Sequence, residues 1–200
     1  MRLAGKRMRF MRIAISGLSG CGNTTVSKLV AEKLRAKRIN YTLRNLAKGL
    51  KKPFAEVQAA AKNNPEYDYA VDRKQAGFAA KNADCVLASR LAIWADDPRV
   101  LSKIGAREKP GFGLKVWLEV PLEERARRIA QREKIPLDKT RAGTKKRDAD
   151  NKARYKKLYG IDVSKRPRGT LVVDAEKNNA EQVAQIIITA AKKAAKNGRK

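Results

Sequence analysis

At 200 residues with 42% apolar side chains, the chain is long enough for one domain with a sizeable core, and no apolar run approaches the roughly 20 residues that cross a bilayer. The formal charge of +27 at pH 7 attracts polyanions, whether nucleotides, RNA or a ribosome. Histidine is absent and Cys21 and Cys85 follow no metal spacing, which excludes zinc sites and histidine-based triads and predicts no structural disulfide.

In chain order, Arg2, Lys6, Arg7, Arg9 and Arg12 predict a basic arm over residues 1–11. It lacks the apolar stretch of a signal peptide, so a cytoplasmic location is expected. A short apolar run predicts a strand at 12–16, followed by glycines and a helical pattern at 24–37. Further strands are expected at 41–44, 84–88, 114–120 and 170–173. Helical patterns cover 53–62, 70–81, 122–133, 149–159 and 180–195. Pro121 suits a first helical position, and Gly160 and Gly198 suit helix ends. The segment 132–168 is long, polar and basic, and residues 191–200 form a second basic end. Strands alternating with helices predict an α/β fold: a parallel sheet with helices on both faces and ligands at the carboxyl ends of the strands.

The glycines form a pattern. G-x-x-x-x-G-K-[ST] is matched by Gly17-Leu18-Ser19-Gly20-Cys21-Gly22 and Thr24, with Asn23 where the lysine belongs. Between a strand and a helix, such a P-loop folds so that successive N–H groups face an anion at a helix N-terminus. Residues 17–25, including Thr25, are therefore the expected donor-phosphate site, and Thr24 is placed to offer its hydroxyl to Mg²⁺. Asn23 still donates a hydrogen bond but supplies no charge to a transferring phosphate. Arg128, Arg132, Arg147 and Arg154 are the candidate replacement cations.

Other segments continue in step with this loop. "LRNLAKGL", "PEYDYAVDRKQ", "ASRLAIW", "LKVWLEVPLEERARRIAQRE", "ARYKKLYGID" and "LVVDAEKNNAEQV" keep the order and spacing of the archaeal type of cytidylate kinase. The chain resembles this P-loop nucleoside monophosphate kinase family from Arg12 to about Ile188. The resemblance implies a five-stranded parallel sheet, a lid over about 133–150, and a kinase domain over 12–190. It also implies phosphoryl transfer from ATP to CMP or dCMP with Mg²⁺, by a protein that is commonly monomeric. Arg44 and Arg90 take the positions of acceptor-binding arginines, and Asp68, Asp72 and Arg73 match a segment of two aspartates and an arginine. Asp72 orients the cytosine ring or Arg73, or pairs on a helix surface. Trp94 and Trp117 are expected in the core or lining the cleft, and Asp174 lies near the adenine-contacting loop.

Four positions depart from the family: Asn23, Ala88 and Ser89 in place of an acidic residue and a glycine, and Ile93 in place of a glycine. Two readings result. One is an active cytidylate kinase; the other is a catalytically weakened relative that binds RNA or a ribosome through its basic ends.

Overall fold

The computed structural model describes residues 11–197. Five parallel strands, β1 (Ile13–Gly17), β2 (Lys37–Ile39), β3 (Cys85–Ala88), β4 (Leu114–Glu119) and β5 (Leu171–Asp174), form one sheet in the order β2-β3-β1-β4-β5. Eight α-helices accompany them among the described residues: α1 (Asn23–Leu34), α2 (Leu43–Gly49), α3 (Phe54–Asn63), α4 (Glu66–Lys81), α5 (Pro98–Ile104), α6 (Leu122–Glu133), α7 (Leu137–Tyr159) and α8 (Ala180–Asn197). No helix among the described residues is long and apolar enough to cross a membrane.

Alternation along the strands builds the two halves of the core. Ile13, Ile15, Val86, Val116 and Leu118 face one way and bury against Val26 and Val30 of α1 and Val183 and Ile187 of α8. Ala14, Cys85, Leu87 and Trp117 face the other way, against Ala79 of α4 and against Ala92 and Ile93 of a 3-10 turn. Cys21 and Cys85 are both buried and unpaired. β1 connects toward β2, whereas its neighbour β3 connects across to β4, so the loops after β1 and β3 part and leave a crevice.

The structure corrects several expected elements. The second strand is at Lys37–Ile39, and Leu43 opens a helix. The Asn45 side chain accepts from the Thr42 N–H at 2.9 Å, which starts α2 locally and outweighs the β propensity of Tyr41 and Thr42. The expected helix at 149–159 is only the end of α7, which takes in most of the expected lid from Leu137 onward. Its sequence has no apolar stripe to reveal it. Ion pairs hold it instead, Arg141 to Glu123 and Arg125 to Asp148, and it buries Thr140 and Thr144. α5, started by the Asp97 carboxylate and Pro98, was not legible as a periodic pattern. Gly160 ends α7 with φ +70, as expected, whereas Gly198 lies outside the described residues. Residues 1–10 also lie outside them, while Lys192, Lys193 and Lys196 of the second basic end continue α8.

Candidate active site

The end of β1 and the start of α1 form one continuous turn. Gly22 is left-handed, with φ +96, and α1 begins at Asn23. A Cβ on Gly17 would lie 2.6 Å from Cys21 Sγ and 2.9 Å from the Leu118 carbonyl, so only glycine fits there. Gly20 combines φ +88 with a carbonyl of Arg125 2.9 Å from its would-be Cβ, which presses the loop onto α6. Burial pushes the Cys21 thiol up to about 11, so it packs as a small apolar group and offers no thiolate at neutral pH.

This loop forms one wall of an open cavity of about 650 Å³. All of residues 17–25 line it, with Thr24 and Thr25 exposed. Asp72, Arg90, Arg128 and Arg132 line it too, from α4, the loop after β3, and α6. Asn40 to Leu43, Asp68, Gln75, Ala88, Ser89 and Tyr155 complete the polar side, and sequence reasoning singled out only some of these.

The other expected site residues lie elsewhere. Arg44 is exposed on α2, its guanidinium 3.8 Å from the centroid of the Phe54 ring. Arg73 turns away from the cavity and donates through Nε to the Ile104 carbonyl at the end of α5. Arg154 is held by Asp68, Nε to Oδ2 at 3.1 Å, and by the Ala61 carbonyl at 2.9 Å. Arg147 is exposed on α7. None of these four lines the cavity. For Arg73 the reason is helical offset: it directly follows Asp72 and so sits about 100° around α4 from it.

Among the cavity-lining residues, three buried polar atoms have no partner among the described residues: Arg90 Nε, Asn23 Oδ1 and Ser89 Oγ. Buried donors and acceptors are nearly always satisfied, so such a group of atoms beside a phosphate loop marks a ligand site. The loop carrying Arg90 is fixed by Ser16 of β1, whose hydroxyl donates to the Ser89 carbonyl at 2.8 Å and accepts from the Ile93 N–H at 3.2 Å. Ile93 is fully buried, which accounts for an apolar residue at that position. Trp117 is core and Trp94 packs against the same cluster, both within the expectation. Asp174 ends β5 and accepts from the N–H groups of Glu176 and Lys177, which shapes a turn.

Ser19, within the expected loop, meets two residues that sequence reasoning missed, Arg125 and Asp148. Its N–H donates to Asp148 Oδ1 at 3.1 Å, and its carbonyl accepts from Arg125 Nη1 at 2.9 Å. Its hydroxyl lies 3.4 Å from Arg90 Nη2. Arg125 also donates to Asp148 Oδ2 at 2.6 Å and to the Val120 carbonyl at 3.0 Å. Helix α7 is thereby tied to the phosphate loop through one carboxylate.

Asp72 is buried, accepts from the Tyr159 hydroxyl at 2.6 Å, and has its carboxyl pushed up to about 7 by burial, which outweighs that hydrogen bond. A carboxyl whose folded pKa lies above its unfolded value of about 3.9 keeps a proton that the unfolded chain has released. Stability is therefore expected to fall as pH rises from about 4 to about 7 and to level off above that, by up to about 4 kcal/mol. Urea unfolding across this range tests it, with Asp72→Asn expected to flatten the slope. An equal slope in the variant would assign the effect to other groups.

A parallel sheet with a phosphate loop at its central strand and a second basic loop facing it defines a P-loop phosphotransferase. Solved structures share this fold: shikimate kinase from Acinetobacter baumannii has TM-score 0.57 at 17% identity, covering 92% of this chain and 93% of its own. Deoxyadenosine kinase from M. mycoides with bound dATP has TM-score 0.51 at 20% identity, covering 90% and 98%. The particular family follows from sequence comparison: residues 12–177 match the cytidylate kinase-like family, and the chain belongs to it. Relatives include the cytidylate kinase of Methanocaldococcus jannaschii, 36% identical over 90% of this chain and 97% of that protein. The cytidylate kinase of Pyrococcus horikoshii is 34% identical over 88% and 85%.

Proposed function

We propose that the protein transfers the terminal phosphoryl group of ATP to CMP or dCMP, giving ADP and CDP or dCDP. The observation that carries this reading is the single cavity joining the Gly17–Thr25 loop to Arg90 and Asp72. Phosphoryl transfer needs alignment and positive charge more than covalent work from the protein, and the lining supplies both.

Loop N–H groups and the N-terminus of α1 hold the donor phosphates. Among the described residues no group of three or more acidic, cysteine or histidine side chains is arranged for a metal. Mg²⁺ keeps waters and substrate oxygens as most of its ligands, and the exposed Thr24 hydroxyl at the start of α1 would be the loop's ligand to it. Bound there, Mg²⁺ would neutralise charge on the donor phosphates. Arg90 grips the acceptor phosphate as a fork, and Asp72 contacts the base. Arg128 and Arg132 replace the charge missing at Asn23. Arg128 is preset, with Nε on Glu124 at 2.8 Å and Nη2 on the Ala175 carbonyl at 2.7 Å. Arg147 and Arg154 lie outside the cavity lining, so we assign the first to the α7 surface and the second to holding Asp68.

ADP release from Mg-ATP with CMP, dCMP, UMP and AMP tests the proposal beside Asn23→Lys. Turnover with CMP or dCMP is expected, and the variant is expected to raise kcat by about 10-fold, less than a full donor's worth because Arg128 and Arg132 already act. Silence of the wild type with every monophosphate would overturn the reading.

A further inference from the structure

β2 is one of the two edge strands of the sheet, and its short run Lys37-Arg38-Ile39 is mostly basic. Three neighbouring depressions surround it. The one of about 270 Å³ is lined by Lys37, Arg38, Tyr41, Phe78 and Asn82, among others. Arg38 continues into the second and Lys37 into the third, and both of these also include Arg35. On α4, Lys74 and Lys81 flank Phe78 at spacings of four and three residues and so share its face.

The centre of this surface is aromatic. Phe78 is 43% exposed although it is a large apolar side chain, and the Tyr41 ring supports it edge-on at 5.9 Å between centroids. Arg35, Lys37, Arg38, Lys74 and Lys81 have no ion-pair partner among the described residues. The acidic residues lining the depressions are Glu32, which pairs with Lys28 at 3.9 Å, and Asp84. An exposed ring framed by unpaired cations has a specific complement. Phosphates satisfy the cations, and an unpaired base satisfies the ring, since every base has a stacking face. A duplex keeps its bases stacked inside and offers only the phosphates.

We propose that the β2 edge and the adjoining face of α4 bind single-stranded nucleic acid, with a base stacked on Phe78 and the backbone running past Lys37, Arg38 and Lys81. The surface lies outside the catalytic cavity and shares only Asn40 and Tyr41 with it. This binding is independent of the kinase reading and stands or falls without it.

The test is fluorescence anisotropy of the full chain with a labelled oligouridylate of about 12 nucleotides, an RNA duplex of the same length, and phosphatidylserine vesicles, over a salt series. A chain of this charge attracts any polyanion, so the informative readout is dependence on Phe78. Phe78→Ala is expected to weaken single-strand binding by about 5-fold to 100-fold and to leave duplex affinity unchanged. Phe78→Trp is expected to retain it. Lys37→Glu with Lys81→Glu, at exposed positions that folding does not require, is expected to weaken the single strand and flatten its salt dependence. The proposal is overturned if single strand and duplex bind alike with no effect of Phe78→Ala, if the double charge reversal changes nothing, or if the vesicles are the ligand that Phe78→Ala releases. Because CMP turnover is measured separately, a failure here leaves the kinase reading untouched, and the reverse holds too.

Discussion

Arg90→Ala is expected to lower kcat/KM for CMP by about 100-fold or more. Arg90 sits in the loop after β3 facing the phosphate loop, and its Nε is buried without a partner among the described residues. A guanidinium left with an unused donor in a cavity is prepaid for a phosphate: its ordering and desolvation are already built into the fold. Ser16 holds the same loop through two hydrogen bonds, so the fork does not need to search for its position. Arg90→Lys is expected to recover only part of the loss, because an ammonium keeps the charge and loses the bidentate geometry. Steady-state kinetics with CMP varied at saturating ATP is the measurement. A value for Arg90→Ala within about threefold of wild type would move the acceptor phosphate to another cation.

Arg125→Ala is expected to lower stability by about 3 kcal/mol. Arg125 is 4% exposed and bonds the Val120 and Ser19 carbonyls and the Asp148 carboxylate. Removing it leaves two carbonyls without their donor and a carboxylate with only the Ser19 N–H. The Asp148 side chain is 17% exposed, so water repays part of the cost and the value lies at the low end of the range for a broken buried pair. Urea unfolding of Arg125→Ala, Asp148→Asn and the double variant gives the coupling directly. A coupling near zero would show that the two side chains are merely adjacent. The same variants report on catalysis: because Asp148 ties α7 to Ser19 of the phosphate loop, Asp148→Asn is expected to raise KM for ATP more than KM for CMP.

The legible parts of the molecule are those whose signal is local. Ile13 to Thr25 announces itself, since an apolar run, three glycines and a hydroxyl at set spacings each answer a requirement of the backbone or of a phosphate. β3, β4, β5, α6 and α8 were legible to within two or three residues because their apolar residues repeat at the period of the element. Where the core pattern is missing, the reading failed. β2 has two charged residues of three, and α7 is a polar helix held by ion pairs. The resemblance gave Arg44 and Arg73 by their position in matched segments, and Arg147 and Arg154 were candidate replacement cations for Asn23. In this structure Arg44 lies over Phe54, Arg73 bonds the Ile104 carbonyl, Arg147 is exposed on α7 and Arg154 bonds Asp68, placements that spacing does not reveal.

The sequence alone thus determined the α/β class, the phosphate loop with its missing cation, and the family. Each rests on what is read along the chain: residues within one turn of one another, periodicity along an element, or the order and spacing of segments. Only the tertiary structure decided which arginines share the cavity with the loop, that Asp148 closes on Ser19 from 129 residues away, and that Phe78 stands exposed among cations beside an edge strand. A side chain's partners are set by where separate elements pack, and the same arginine at the same position along the chain faces a substrate or a neighbouring carbonyl according to a rotation that spacing does not encode.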